Sequence, residues 1–182
     1  MMLLIAITLP YAIDEEVAII RHLLADGVDI IHLRKPDADI SYCRGLLSQL
    51  SADERGRIVI HDYWTLYDEF ALRGIHLNRN VRTLPDQYRG SRSRSCHSFE
   101  EVVRYKNECD YLFLSPIFDS ISKMGYSSAY SHDELQRAAD EGIIDERVVA
   151  LGGVTPDKIP YLRSLGFGGV AMSGAIYRQE KV

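Results

Sequence analysis

The sequence predicts an α/β protein built as a single (β/α)8 TIM barrel domain over residues 1–182, and three observations lead there. Short apolar runs alternate with amphipathic stretches along the chain, eight such runs occur, and the runs are nearly continuous in hydrophobicity rather than strictly alternating. Continuous apolar strands suit a parallel sheet covered on both faces. An open doubly wound sheet is the alternative, but no G-x-G-x-x-G follows the first run, which favours the barrel. At 182 residues the chain lies below the usual lower end of roughly 200 for this architecture, so an element should be missing.

The first run, LLIAIT at 3–8, has no basic residue before it and no convincing small-residue cleavage site after it, so it reads as a strand and not as an export signal. Asp14, Glu15 and Glu16 place acids at a helix start; Val17, Ile20, Leu23 and Leu24 share a face, and Gly27 ends the element. The strands DIIHLR (29–34), RIVI (57–60) and GIHL (74–77) follow, and the segment after GIHL has no clear helical period. Residues 92–96 give a weak fifth strand. Ser98 with Glu101 has capping-box spacing ahead of YLFLS (111–115), and Ser131 with Glu134 repeats it ahead of RVVAL (147–151). Thr155 followed by Pro156 reads as a cap with proline at the first helical position, and Ile159, Leu162 and Leu165 recur down to Gly166. The last strand, GGVAM (168–172), leaves little sequence after it, so the eighth helix is expected to be truncated or absent.

Composition narrows the function. With 46% hydrophobic residues the chain can offset its ordering entropy, which excludes disorder. Its 21 Lys plus Arg against 26 Asp plus Glu give a formal charge of −5, which argues against a dedicated nucleic-acid binder; the short cluster Arg89, Arg92 and Arg94 does not change that. Cys43, Cys96 and Cys109 are odd in number and lack C-x-x-C spacing, suggesting neither disulfides nor a zinc knuckle. No run approaches the roughly 20 apolar residues that span a bilayer. A cytoplasmic setting with no membrane partner is the expectation.

In such barrels the chemistry sits where strands end. After the second strand, Arg34 and Lys35 offer a planar fork and a point charge for a diphosphate, or a solvated turn before Pro36. His32 points the same way as Arg34, and taken singly suits a satisfied core histidine. After the third strand, His61 precedes Asp62, which could ligate Mg²⁺ or cap a helix starting at Tyr63. The fifth strand ends in Ser95, Cys96 and His97. Residues 115–131 form a long loop in which Ser120, Ser122 and Lys123 could close over a phosphorylated substrate. Gly152 and Gly153 after the seventh strand, and Ser173 and Gly174 after the eighth, are turns whose bare amides suit a phosphate. Residue types alone therefore indicate a barrel for phosphorylated small molecules.

The stretches IHLRK (31–35), IHDYWTL (60–66), GIHL (74–77), SCHSFEE (95–101), 110–123 with DYLFLSPIF, and 148–176 with VVALGGVTPDKIP and GVAMSGAI resemble the family of thiamine phosphate synthase and its relative TenI. The resemblance implies a (β/α)8 homodimer of thiamine biosynthesis that joins a hydroxymethylpyrimidine diphosphate to a thiazole phosphate and releases diphosphate, with Mg²⁺ as cofactor. It implies that Arg34, Lys35, Ser95 and Lys123 hold the diphosphate and that Asp62 binds the metal. Ser120 and Ser122 would line the lid, and Gly153, Ser173 and Gly174 would hold the thiazole phosphate. His32 stands where the family has Gln and His61 where it has Asn, both at positions expected to bind substrate, and one residue is missing between Arg34 and Lys35. No acid follows GIHL until Asp86, where the family has a second metal carboxylate nearer. A TenI-like thiazole tautomerase and a non-catalytic binder of phosphorylated ligands are the competing readings; Pro116, standing where the tautomerase has a histidine, favours the synthase.

Overall fold

Each of the eight apolar runs forms a strand: β1 (Leu3–Ile7), β2 (Ile30–Leu33), β3 (Ile58–Ile60), β4 (Gly74–Leu77), β5 (Ser91–Cys96), β6 (Tyr111–Leu114), β7 (Val148–Leu151) and β8 (Gly169–Met172). The computed structural model describes residues 2–78, 84, 87–119 and 129–173. The strands are hydrogen-bonded in sequence order into a closed barrel. The connecting helices are α1 (Glu16–Ala25), α2 (Ile40–Ser48), α3 (Ala52–Arg55), α4 (Leu66–Phe70), α5 (Phe99–Tyr105), α6 (His132–Asp140) and α7 (Ile159–Ser164), the last entered through a 3-10 turn at Pro156–Lys158. The (β/α)8 class is the one the sequence predicts. The expected loss of an eighth helix falls on residues outside those described.

The chain forms two compact units, one of Ile5–Arg92 and one of Met1–Leu4 with Ser93–Val182. In the first, Ile5 pairs with Ile30 and Ile7 with His32, His32 with Val59, and Val59 with Gly74. Because strand side chains alternate, His32, Val59 and Gly74 share one side of the sheet, while Ile31, Leu33, Ile58, Ile60 and Ile75 share the other. All five of the latter are buried, each contributing roughly 1.5–3 kcal/mol relative to exposure. Gly74 is glycine for a steric reason: a Cβ there would lie 2.1 Å from the Ser91 carbonyl oxygen.

The helix starts follow the caps with some departures. Helix α1 is preceded by Glu15 in the left-handed region (φ 58°) without a side-chain cap, and its first residue, Glu16, is buried with Ile20 and Leu23. Asp39 caps α2 by accepting from the Tyr42 amide, and Ser51 with Glu54 makes a full capping box on α3. In the second unit, Ser131 and Glu134 make the expected box on α6. Ser98 accepts from the Glu101 amide, yet the Glu101 carboxylate reaches one residue further back, to the His97 amide at 2.7 Å. Strand register runs Ser95 to Phe113, Phe113 to Val149 and Val149 to Gly169.

Candidate active site

The end of β2 is fixed by its neighbours. Thr8, just past β1, is buried, and its hydroxyl both donates to the Arg34 carbonyl (3.1 Å) and accepts from the Arg34 amide (2.9 Å). The Arg34 backbone is thereby held at two points while its side chain is exposed. A guanidinium stays charged at any working pH, so Arg34 presents a permanent planar cation.

Lys35 corrects the expectation made for it. Its side chain is 0% exposed, and its ammonium donates to the Leu9 and Tyr11 carbonyls (2.8 Å each) and to Glu16 Oε1 (2.6 Å). Three donors meet three acceptors, so this cation fastens the β1–α1 segment instead of gripping a diphosphate. Tyr42 completes the cluster by donating to Glu16 Oε2 at 2.6 Å; burial first, and then that bond, raise its phenol above the ordinary range. Successive residues leave a strand on opposite sides, which sends Lys35 inward where Arg34 is exposed.

Asp62 is not a helix cap, since α4 begins only after Thr65. Its Oδ2 accepts the Lys35 amide at 3.0 Å, and it stands half-buried between the end of the β2–β3 ladder, where the His61 amide bonds the Leu33 carbonyl (3.1 Å), and Tyr63 in a left-handed turn (φ 54°). Its partner is a neutral amide, and among the described residues no ion pair compensates the carboxylate charge.

Beside it lie three histidines. His32 Nδ1 and His61 Nε2 are hydrogen-bonded at 2.8 Å, and the His61 and His76 rings stack with centroids 4.0 Å apart. Burial, and secondarily the neighbouring His76, hold the His32 and His61 pKa values well below the usual imidazole range, so both rings are neutral. His32 is 0% exposed, so its influence on a ligand passes through its neighbours and not through direct contact. Asn78, after β4, donates to the His61 carbonyl at 2.9 Å.

In the second unit, Ser95 lies half-buried in β5, opposite Phe113. At the adjoining strand ends, His97 Nδ1 is 3.0 Å from the Ser115 carbonyl oxygen and 3.3 Å from its hydroxyl. Gly152 and Gly153 both have positive φ (93° and 61°), as their turn requires. The space beside them is filled by protein: a Cβ on Gly152 would lie 2.8 Å from Pro116 Cα, and one on Gly153 would lie 2.3 Å from the Asp119 carbonyl oxygen. These glycines therefore admit the segment after β6, a packing demand added to the expected amide turn. Lys158, unremarked in the sequence, donates to the Gly153 carbonyl (2.8 Å) and lies over the Phe118 ring (4.2 Å), bringing a cation to that turn. Ser173 follows β8 on the same pleat side as Ala171. Lys123, Ser120, Ser122 and Gly174 lie outside the described residues.

All three cysteines are buried and outside any disulfide, and burial pushes the thiols of Cys43 and Cys96 up to about 11 and about 12, away from nucleophilic thiolate. Among the described residues no helix is long and apolar enough to cross a membrane.

Comparison with known proteins agrees with this geometry. A crystal structure of thiamine phosphate pyrophosphorylase from Bacteroides thetaiotaomicron superposes with a TM-score of 0.87 at 40% identity, covering 97% of this chain and 85% of that one. The Pyrococcus furiosus thiamine phosphate pyrophosphorylase shares the fold with a TM-score of 0.74 at 20% identity over 96% of this chain and 86% of its own. The thiamine-phosphate synthase of Photorhabdus laumondii is 30% identical over 179 residues, 93% of this chain and 82% of the relative. The family model described as thiamine monophosphate synthase matches residues 4–176, and the chain belongs to that family.

Proposed function

We propose that this protein is a thiamine-phosphate synthase, a transferase that couples hydroxymethylpyrimidine diphosphate to a thiazole phosphate and releases diphosphate. The observation that carries the reading is the 40% identity, across 97% of the chain, to a protein described as a thiamine phosphate pyrophosphorylase. The exposed Arg34 and the amide-bonded Asp62 at adjacent strand ends support it.

The reaction breaks the bond between the pyrimidine methylene carbon and a diphosphate oxygen, whose electron pair leaves with the diphosphate. The thiazole nitrogen then supplies its lone pair to that carbon. Neither step needs a protein nucleophile; both need the departing negative charge stabilised and water kept away. Arg34 does the first with a forked cation whose backbone Thr8 has already ordered. Ser95, and Lys123 in the same reading, add polar contacts to the leaving group. The turn at Gly152 and Gly153, with Ser173 and Gly174, holds the thiazole phosphate through backbone amides, and Lys158 adds charge beside it.

Asp62 fits Mg²⁺. Hard cations of this kind take one or two carboxylates together with phosphate oxygens and water, and Asp62 offers a hard oxygen donor whose neighbour is a neutral amide. When bound, the ion supplies positive charge to the phosphoryl oxygens. In this reading the enzyme works as a cytoplasmic homodimer on small phosphorylated substrates, and sedimentation equilibrium at twice the protomer mass checks the assembly.

The test is a coupling assay with both precursors. Thiamine phosphate and diphosphate should appear in equal amounts with Mg²⁺ and stop when the ion is chelated. Interconversion of thiazole isomers without metal would instead mark a tautomerase, and thermal stabilisation by ligands without turnover would mark a binder; either overturns the proposal.

A further inference from the structure

Three strands of one unit each contribute a histidine to a single buried cluster. His32 lies in β2 opposite Val59, His61 is two residues beyond Val59, and His76 is two residues beyond Gly74, which itself pairs with Val59. The period of two places all three side chains on one side of the sheet. The rings converge, with centroids 5.0 Å apart for His32 and His61, 5.6 Å for His32 and His76, and 4.0 Å for His61 and His76. One ring nitrogen from each lies within 4.8 Å of the other two. The residues are 0%, 6% and 3% exposed.

We propose that His32, His61 and His76 form a binding site for a borderline transition-metal cation such as Zn²⁺, separate in chemistry from the carboxylate at Asp62.

The donor set selects the metal class. Imidazole nitrogen suits zinc, copper, nickel and iron, whereas Mg²⁺ and Ca²⁺ seek oxygen, and no carboxylate belongs to this trio. Three imidazole ligands leave one coordination position for water or hydroxide in a tetrahedral shell. The geometry is within reach. Zn–N bonds of about 2.0–2.1 Å put tetrahedral nitrogens roughly 3.3 Å apart, between the 2.8 Å of the His32–His61 bond and the 4.8 Å limit of the cluster. His61 and His76 are stacked at 14°, so binding one ion requires these rings to rotate out of the stack, and metal bonds then replace the His32–His61 hydrogen bond. The Asn78 amide on the His61 carbonyl steadies the strand end that carries the middle ligand. An ion held this way ties β2, β3 and β4 together.

The test reads metal binding and not turnover, so its failure is distinguishable from a failure of the coupling assay. The full-length protein, stripped with a chelator, is titrated with Co²⁺ and then Zn²⁺ in excess Mg²⁺. One equivalent of Co²⁺ should give the intense visible bands of a tetrahedral site, Zn²⁺ should bleach them, and bound metal should raise the melting temperature. Since loss of even an outer partner of a metal ligand costs roughly 10–100-fold in affinity, His32→Gln and His76→Gln should each weaken binding by at least about tenfold. His22→Gln, on an exposed histidine, should leave it unchanged. Should the buried variants fail to fold, X-ray absorption of the wild-type Co²⁺ complex must still show three imidazole nitrogens. No saturable binding, affinity unaltered in the folded His32 and His76 variants, displacement by Mg²⁺, or a shell without three imidazoles would each overturn the site.

Discussion

Lys35 and Arg34 are neighbours with opposite fates. Lys35 is buried against Glu16, and removing one partner of such a pair strands the other charge in a low-dielectric interior. Lys35→Met should therefore lose about 3–5 kcal/mol in urea denaturation, and adding Glu16→Leu should restore part of it. Arg34→Ala should leave the unfolding midpoint nearly unchanged and lower turnover roughly 10–100-fold, the kinetic equivalent of one charge-assisted hydrogen bond. An Arg34→Ala enzyme with normal turnover would remove that residue from the reaction. The two cations were equally visible in the sequence, but burial was not, because Glu16 is 19 positions away and read only as an acid near a helix start. Asp62→Asn keeps an acceptor for the Lys35 amide, so stability should hold while the Mg²⁺ concentration needed for half-maximal turnover rises. An unchanged Mg²⁺ response would exclude Asp62 as the ligand.

Elements were the most legible level. Seven strands could be read because buried parallel strands are apolar throughout, whereas the fifth, the polar and partly buried Ser91–Cys96, gave only a weak signal and still formed where expected. Caps were legible where both halves are local. The Ser131–Glu134 box is present as predicted, whereas Glu101 bonds the His97 amide because the chain ahead of α5 brings that amide nearer to it. Ser131→Ala should cost α6 about 1 kcal/mol in thermal unfolding. The Glu134 carboxyl is held below the ordinary carboxylate range by the Ser131 amide first and the Ser131 hydroxyl second. A lowered folded-state pKa gives stability that is full above about pH 4.3 and is lost as pH falls through the folded value. NMR titration should find the Glu134 pKa higher in Ser131→Ala, and no movement would deny the hydroxyl its part. At the β7 turn, Gly153→Ala meets both a positive φ and the Asp119 carbonyl, and should cost at least about 1–3 kcal/mol by denaturant unfolding.

At the scale of the whole molecule, closure in sequence order followed from counting β-then-α units and from the absence of a dinucleotide turn. Which strand ends to inspect for a phosphate site was legible for the same reason: in this architecture position along a strand fixes which end a residue occupies. The histidine cluster was not. His32, His61 and His76 come from three segments, and their convergence depends on the register of β2 on β3 and of β3 on β4, which no single stretch of sequence encodes. His76 in particular looked like one more residue of a buried strand. The signal that could have found it was the repeated placement of histidine at the third position of IIHL and of GIHL, and just beyond IVI.

The double hold of Thr8 on Arg34 governs how that side chain can move. With amide and carbonyl both moored to one hydroxyl, the arm starts from a stationary post and only its own side-chain rotations move the tip. In the proposed reaction, anion capture would then depend on the length of the arm more than on the suppleness of the chain beneath it, and a shorter or blunter cation at the same post would miss.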